Sequence, residues 1–506
     1  MQEKKKIFAL DIGTRTIIGI ILESDDRGGY RVLDLLEKEH EERAILKGQI
    51  HHVPAVTKGI THLKKMLEHK HGPLQTVSVA AAGRALKTRK TFVTVSIAEK
   101  PHITNEDIWK LELQAVQKVQ KEIANEDAVY CVGYSVLHYF LNGEKVSSLL
   151  GQQGVKASIE IIATFLPKTV IDSLLISLEQ AKLKVEALTL EPIAAIHALT
   201  RPSMRTLNIA LVDIGAGTSD IAITAKRTII AYGMVSIAGD DITEAMSNHY
   251  LLDFSCAEKA KRALTTNEQV IVPNIFGKEI KILRKDMVKE IAPTIDQLAQ
   301  RIAMKILQLN NEQIPKAVML IGGGSLTPHL SHKIAHHCHL PENRIQLLGP
   351  EAIKNLTIDV PIKTVPQYVT PIGIALTAKQ SAVPFITVYV NKRAIHLFKF
   401  HTYTVQDCLV QAGMKMEQLY GKRGKAMLVS INGTTITLPG EDGKPPTIKK
   451  NGKSCNLDDP VMDNDHVIAL YGTNGEEAKV SIAELIGDSD CKTVFINDRQ
   501  YNDSFY

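Results

Sequence analysis

The sequence holds 506 residues, 44% hydrophobic and 23% charged, ordinary globular values that argue against a disordered or low-complexity chain. That length suits about three domains, or one bilobal body with an appendage. Sixty basic against 55 acidic residues leave a net charge of +5, and aromatics are 5%, so neither a clustered basic face nor a stacking platform for nucleic acid is expected.

In chain order, the first predicted unit is a hairpin. Ile7 to Ile12 is an apolar strand, Gly13-Thr14-Arg15-Thr16 a small polar turn, and Ile17 to Glu23 a β-branched return strand. Asp11 breaks the apolar run that follows the basic MQEKKK, which argues against a signal peptide. A helix over 54–70 and a short strand from Val77 to Gly83 come next. Between about 85 and 165, short strands alternate with one helix, whose start is marked by Thr104-Asn105-Glu106-Asp107. A strand from Ala157 to Phe165, a helix from Thr169 to Ala181, a strand from Val185 to Leu190 and a helix from Ile193 to Leu199 complete the first lobe.

A second hairpin follows. Leu207 to Val212 is apolar, DIGAGTSD from Asp213 is its tip, and Ile221 to Thr224 resumes the strand. ALDIGTRTIIGIIL from Ala9 and LVDIGAGTSDIAIT from Leu211 share one pattern, which predicts two related subdomains facing each other. A buried-type strand, Ala317 to Ile321, runs into Gly322-Gly323-Gly324-Ser325, and Pro328 opens a helix. Another short helix starts at Pro371, and Thr377 to Pro384 reads as a linker. After Phe385 come three hairpins with Asn-centred turns and a short helix over Thr404 to Ala412, a β-rich module of β-grasp-like character. The expected domains are therefore 1–200, with an inserted subdomain at about 85–165, then 201–380 and 386–506. The six cysteines form no CxxC pair and predict reduced thiols in an intracellular protein. No apolar stretch reaches the length of a transmembrane helix, so a soluble protein is expected.

The facing hairpins carry the chemistry. Backbone N–H groups at a glycine turn can approach phosphate oxygens closely, and threonine hydroxyls add donors. An Asp at the end of each first strand can hold hydrated Mg²⁺ between the loops, because magnesium keeps most of its waters and takes few carboxylates. One such loop alone reads as an ordinary hairpin tip; the duplication points to a ligand. The glycine triplet is either a tight strand-to-helix turn or a flat surface for a ligand. His332 and His336 stand at i,i+4 in a His-rich stretch, a spacing that can share a metal, though a surface helix is the favoured reading.

In this order the motifs resemble the actin, hexokinase and DnaK-type ATPase superfamily: DIGTRT, the helix LEPIAAIHAL, DIGAGTSD, LIGGGS and the helix TPIGIALT. Within it the chain resembles FtsA, the bacterial cell-division actin homologue related to PilM and MreB, over roughly residues 5–380. That resemblance implies an actin-like (ribonuclease H-like) bilobal α/β fold with two duplicated subdomains and ATP and Mg²⁺ in the cleft. It implies metal-holding roles for Asp11 and Asp213, and phosphate contacts from Gly13, Thr14, Arg15, Thr16, Gly215, Gly217 and Thr218. Gly239 belongs to the glycine-containing loop SIAGDDIT, Gly322, Gly323, Gly324 and Ser325 to the adenosine loop, and Glu258, Lys261 and Arg262 to an adenosine clamp. For those three the competing reading is a solvated helix face. Glu191 is placed to orient or deprotonate the attacking water, or else simply caps its helix. Arg15 departs from the small residue of DnaK-type loops; it either contacts phosphate or points outward.

The resemblance further implies a cytoplasmic nucleotide switch with weak ATPase activity that polymerises on itself. It would work with protein partners of the division or envelope machinery and be recruited to the inner face of the membrane through one of them. The β-rich tail stands where FtsA proteins carry an amphipathic membrane helix, so direct membrane attachment is not expected. The alternatives are an ATP-dependent adaptor of the PilM or chaperone kind and a small-molecule kinase of the same superfamily.

Overall fold

The computed structural model describes residues 6–24, 29–82, 86–99, 101–124, 129–201, 203–361, 365–378, 385–398, 402–431, 434–481, 484–485, 493–496 and 499–502. Gly83, most of the expected linker and the turn residues of the second and third tail hairpins lie outside that set. The chain parts into two compact units, the first ending at residue 384 and the second beginning at Phe385.

The first unit is built on two sheets of one topology. In the first, strand Lys6–Ile12 pairs antiparallel with Thr16–Ser24, which pairs antiparallel with Tyr30–Glu39. On its other side lie Thr76–Ala81 and then Lys184–Leu190, both parallel. In the second, Ile209–Ile214 takes the central place, with Ser219–Ala225 and Thr228–Val235 antiparallel on one side and Ala317–Ile321 and Ile345–Leu347 parallel on the other. The central strands are apolar on both faces because each sheet is covered on both sides. Short strand Leu356–Ile358 returns to the first sheet, pairing parallel with Tyr30–Val32.

The two hairpin turns match in detail. Gly13 N donates to Thr16 O and Gly215 N donates to Thr218 O, each at 2.9 Å. Helices Glu191–Leu199 and Val369–Thr377 cross between the lobes with backbones in contact. A Cβ on Gly373 would lie 2.5 Å from Ala194 O, so glycine is required there by close approach.

The inserted region is a four-stranded antiparallel sheet in the order Lys87–Ser96, Lys156–Pro167, Val129–Leu141, Glu144–Val146, with helix Asn105–Ala124 against it. Thr104 and Asp107 cap that helix reciprocally: Thr104 N donates to Asp107 Oδ2 at 2.9 Å, and Asp107 N to Thr104 Oγ1 at 3.3 Å. The strands are longer than the pattern predicts. Gly133 interrupts the apolar run, yet the strand continues through it; a Cβ there would sit 2.8 Å from Ile193 Cδ1, so the glycine makes room for the crossing helix. This sheet is tied to the second lobe through Thr228 Oγ1, which donates to Val136 O at 2.6 Å, and through the Ser135–Tyr232 hydroxyl pair at 2.9 Å.

The second unit holds a five-stranded sheet in the order Arg393–Phe398, Phe385–Val390, His466–Leu470, Thr447–Lys450, Lys453–Ser454, with the second and third strands parallel. Helix Val405–Gln411, capped by Thr404 and Asp407, packs Val405, Cys408 and Leu409 into the core of this unit with Val388 and Val467. Beside the sheet lies an arrangement the sequence pattern did not reveal. Segments GKRGK from Gly421, GEDGK from Gly440 and GTNGE from Gly472 run side by side without forming a β-ladder. Gly424 N donates to Glu441 O, Gly475 N to Lys422 O and Lys444 N to Thr473 O, at 2.8–2.9 Å. A Cβ on Gly421 or Gly424 would lie 1.9 or 1.8 Å from a carbonyl of the third segment. Glycine at every third position is needed for the same steric reason as at a collagen axis.

Candidate functional site

Between the two sheets of the first unit lies a cavity of about 440 Å³. The duplicated hairpins form its floor and walls, and their tips touch. A Cβ on Gly217 would lie 2.7 Å from Thr14 Oγ1 and 2.9 Å from Lys47 Cα. Asp11, Gly13, Thr14, Arg15, Thr16, Glu191, Asp213, Gly215, Gly217, Thr218, Gly239, Glu258, Lys261, Arg262, Gly322, Gly323 and Gly324 all line it. Of the expected nucleotide-site residues, Ser325 is off the lining: it is buried under the loop, where its hydroxyl donates to Gly322 O at 2.5 Å and holds the turn; His332 and His336 also lie off it.

The glycine triplet works by close approach. Gly322 has φ of +81°, and a Cβ there would collide with Asp213 Oδ1 at 2.3 Å; one on Gly324 would meet Gly215 O at 2.8 Å. The strand Ala317–Ile321 thus turns directly over the second hairpin. The helix from Gly239 starts on the same hairpin, with Gly239 N donating to Gly215 O and Asp240 N to Ala216 O, at 3.2 and 2.7 Å. The helix expected at Pro328 instead starts at Leu330, because a 3₁₀ turn over Gly323–Leu326 and a left-handed His329 come between.

Four carboxylates gather here: Asp11, Asp213 and Glu191 line the cavity, and Asp220 is buried off its lining. Burial, then Asp213 and Glu37, raise Asp11 to about 7. Burial raises Asp213 to about 6, against the Thr370 hydroxyl, which donates to its Oδ2. Asp220 stands opposite Asp213 in the hairpin register, and burial and then Asp213 raise it to about 7. Burial, then Asp11, Asp220 and Asp213, raise Glu191 well above the glutamate range. Asp220 had not been singled out, although it ends the DIGAGTSD motif; alternation along the return strand was the available signal. Mutually repelling buried carboxylates are the donor chemistry that a divalent cation relieves. Among the described residues no three His, Cys, Asp or Glu side chains are grouped to ligate an ion directly.

Of the expected clamp, Glu258 and Lys261 do not stand on a solvated helix face, whereas Arg262 is exposed. Glu258 is 6% exposed. It accepts from Thr243 Oγ1 and from Arg15 Nη1 at 2.7 Å, and pairs with Lys261 Nζ at 2.6 Å. Burial works to raise the Glu258 carboxyl, but Lys261, Thr243 and Arg15 together hold it below the usual range. Arg15 therefore neither points outward nor sits free: it crosses the cleft. Its Nε is buried without a hydrogen-bond partner. In the His-rich helix, His332 pairs with Glu342 at 3.1 Å, and His337 with Asp296 at 3.2 Å.

The family model described as "Cell division protein FtsA" matches residues 210–373, which span the second sheet's central hairpin, the glycine triplet and the crossing helix. The FtsA of Pseudomonas aeruginosa is 23% identical over 391 residues, 75% of this chain and 91% of that protein. The FtsA of Bacillus subtilis is 21% identical over 394 residues, 76% and 85%. A solved structure titled "PilM-PilN type IV pilus biogenesis complex" aligns with a TM-score of 0.56 at 17% identity, covering 74% of this chain and 99% of that one. The chain is FtsA-like and has the actin-like fold. The FtsA likeness and the duplicated sheets agree: in each lobe the hairpin turn, its strand-end aspartate and the parallel strand beside it recur in the same places.

Proposed function

We propose that this FtsA-like protein binds Mg²⁺-ATP in the interlobe cavity and uses it as a conformational switch in cell division or envelope assembly. The observation that carries the reading is the pair of facing glycine hairpins, each ending its first strand in a buried aspartate. Backbone N–H groups of Thr14 and Gly217, with the Thr14 hydroxyl, would meet the β- and γ-phosphates, while Gly13 and Gly215, whose N–H groups close their own turns, and Thr218, whose hydroxyl donates to Asp220 Oδ2, would line the approach. Asp11 and Asp213 would hold hydrated Mg²⁺, which supplies charge neutralisation at the phosphates. Glu258, Lys261 and Arg262 would meet the ribose and base beside the glycine triplet.

Glu191 sits at the N-terminus of the crossing helix, on the cavity wall. From that place, in its ionised form, it would accept a proton from a water held at the γ-phosphate, in a slow hydrolysis. Because Glu191 and Thr370 stand on the two crossing helices and Asp213 binds Thr370, a change at the phosphates is transmitted to the lobe angle. Among the described residues no helix is long and apolar enough to cross a membrane; a cytoplasmic protein brought to the membrane by a partner fits the reading. The second unit, read as β-grasp-like, would serve partner docking.

The test is light scattering and phosphate release on the full chain with and without Mg²⁺-ATP. ATP-dependent scattering with slow turnover supports a polymerising switch. The likeness to the PilM–PilN structure favours a second reading, an ATP-dependent adaptor; binding without scattering would select it. A sugar-kinase reading would require turnover that depends on an added acceptor.

A further inference from the structure

Among the described residues three sets of side-chain ion pairs cross the cleft. Arg15 Nη1 meets Glu258 Oε1 at 2.7 Å, Arg262 Nη1 meets Glu39 Oε1 at 2.7 Å, and Arg43 Nη2 meets Glu244 and Asp240 at 3.2 and 3.5 Å. Arg43 also lies over the Phe254 ring, 4.3 Å from its centroid. On the first lobe, the segment around Arg43 is fixed by backbone: His40 N donates to Arg15 O at 3.0 Å, and Gly48 N donates to Thr14 Oγ1 at 3.3 Å. The first phosphate loop and residues 40–48 thus form one body. Among the described residues no backbone hydrogen bond joins that body to residues 239–263 of the second lobe.

Arg15, Glu258 and Arg262 line the cavity, whereas Glu39 and Arg43 stand outside its lining. Glu258 keeps Lys261 and Thr243 if Arg15 leaves, so separating the lobes strands no buried carboxylate. The outer pairs are roughly half exposed, with Arg43 and Arg262 at 47% and 42%, and such pairs are individually weak and salt-sensitive.

We propose that Arg15, Glu39 and Arg43 form an ionic gate across the cleft that must open for nucleotide to enter or leave. The proposal rests on the nucleotide-binding reading above. Because the gate is made of side chains alone, weakening its outer pairs speeds passage in both directions while the pocket's affinity stays nearly constant.

The experiment is stopped-flow association and dissociation of a base-linked fluorescent ATP on the full chain. Wild type is compared with Glu39→Gln, Arg43→Met and the double variant, each checked by thermal unfolding; Glu39→Gln alone serves if Arg43→Met folds poorly. Hydrogen exchange over residues 40–48 and 254–263 supplies a readout free of nucleotide. The gate predicts that both rate constants rise about two- to tenfold in the double variant, the range two exposed ion pairs allow. It also predicts an unchanged Kd within about twofold and faster exchange in both segments. Wild type that binds ATP with rates unaltered in the double variant overturns the gate alone. A rise in dissociation without a matching rise in association also overturns it, because the pairs would then be ligand contacts. Wild type that binds no ATP overturns the nucleotide reading and the gate together.

Discussion

Thr14 and Gly217, more than 200 residues apart in sequence, touch at the tips of the two duplicated hairpins: a Cβ on Gly217 would lie 2.7 Å from Thr14 Oγ1. Gly217 is not needed for a left-handed φ, so its requirement is the space itself. Gly217→Ala is expected to push the first loop and Lys47 away and to weaken Mg²⁺-ATP binding by roughly tenfold, within the range of overpacking costs. Thermal stability should fall as well, by about 1–3 kcal/mol. Calorimetric titration of the variant checks this, and wild-type affinity would show that the contact does not set the loop spacing.

The carboxylate cluster predicts a pH-dependent response to magnesium. Asp11 and Asp220 titrate at about 7 and Asp213 at about 6, above the ordinary 3.8. A carboxyl raised in the folded state binds more protons there than in the unfolded chain. Stability from the cluster is therefore full below pH 3.8 and falls as pH rises to about 7. A bound cation offsets that loss, so the rise in melting temperature on adding Mg²⁺-ATP should be larger at about pH 8 than at about pH 5.5. Differential scanning calorimetry at both values decides it; an equal or reversed increment would speak against a cation beside these groups.

Glu191→Gln preserves shape and removes the proton acceptor. Phosphate release should fall by about 10²–10⁴-fold, while ATP affinity stays within a few-fold. Undiminished turnover in this variant would leave Glu191 without a role in hydrolysis; it is not the helix cap either, since Leu190 holds that position with no side-chain cap bond.

The glycine bundle of the second unit is a structural claim with its own check. Gly424→Ala would place a methyl 1.8 Å from Glu476 O. It should destabilise that unit by at least about 1–3 kcal/mol and leave the ATP affinity of the first unit unchanged. Urea unfolding followed by hydrogen exchange in each unit separates the two effects. Full protection of residues 440–444 in the variant would refute the packing.

Much of the site was legible because its parts are local. An apolar strand ending in Asp-Ile-Gly is a short-range signal, and its duplication carried the fold. What reaches across sequence was not legible. The Arg15–Glu258 pair joins residues 243 apart, so a solvated helix face and a buried, paired carboxylate look alike in the string EKAKR. Asp220 went unremarked because its neighbour in space, Asp213, is set by strand register and not by spacing alone. Ser325 resembles a ligand group because it follows three glycines, whereas its hydroxyl is used within its own turn. The three glycine segments escaped notice because each repeats only once, and their mates lie between about 15 and 50 residues away, too far for a local motif.

The central claim is that the cleft binds Mg²⁺-ATP through its paired aspartates. Calorimetric titration of Mg²⁺-ATP into wild type and Asp213→Asn tests it most directly, since Asn keeps an acceptor for Thr370 and removes only the charge. The account predicts one site per chain in wild type and affinity lower by at least about tenfold in the variant, a loss of 1.4 kcal/mol or more, with melting in the absence of ligand not reduced. Equal affinity in the two proteins, or no binding by wild type, would contradict it.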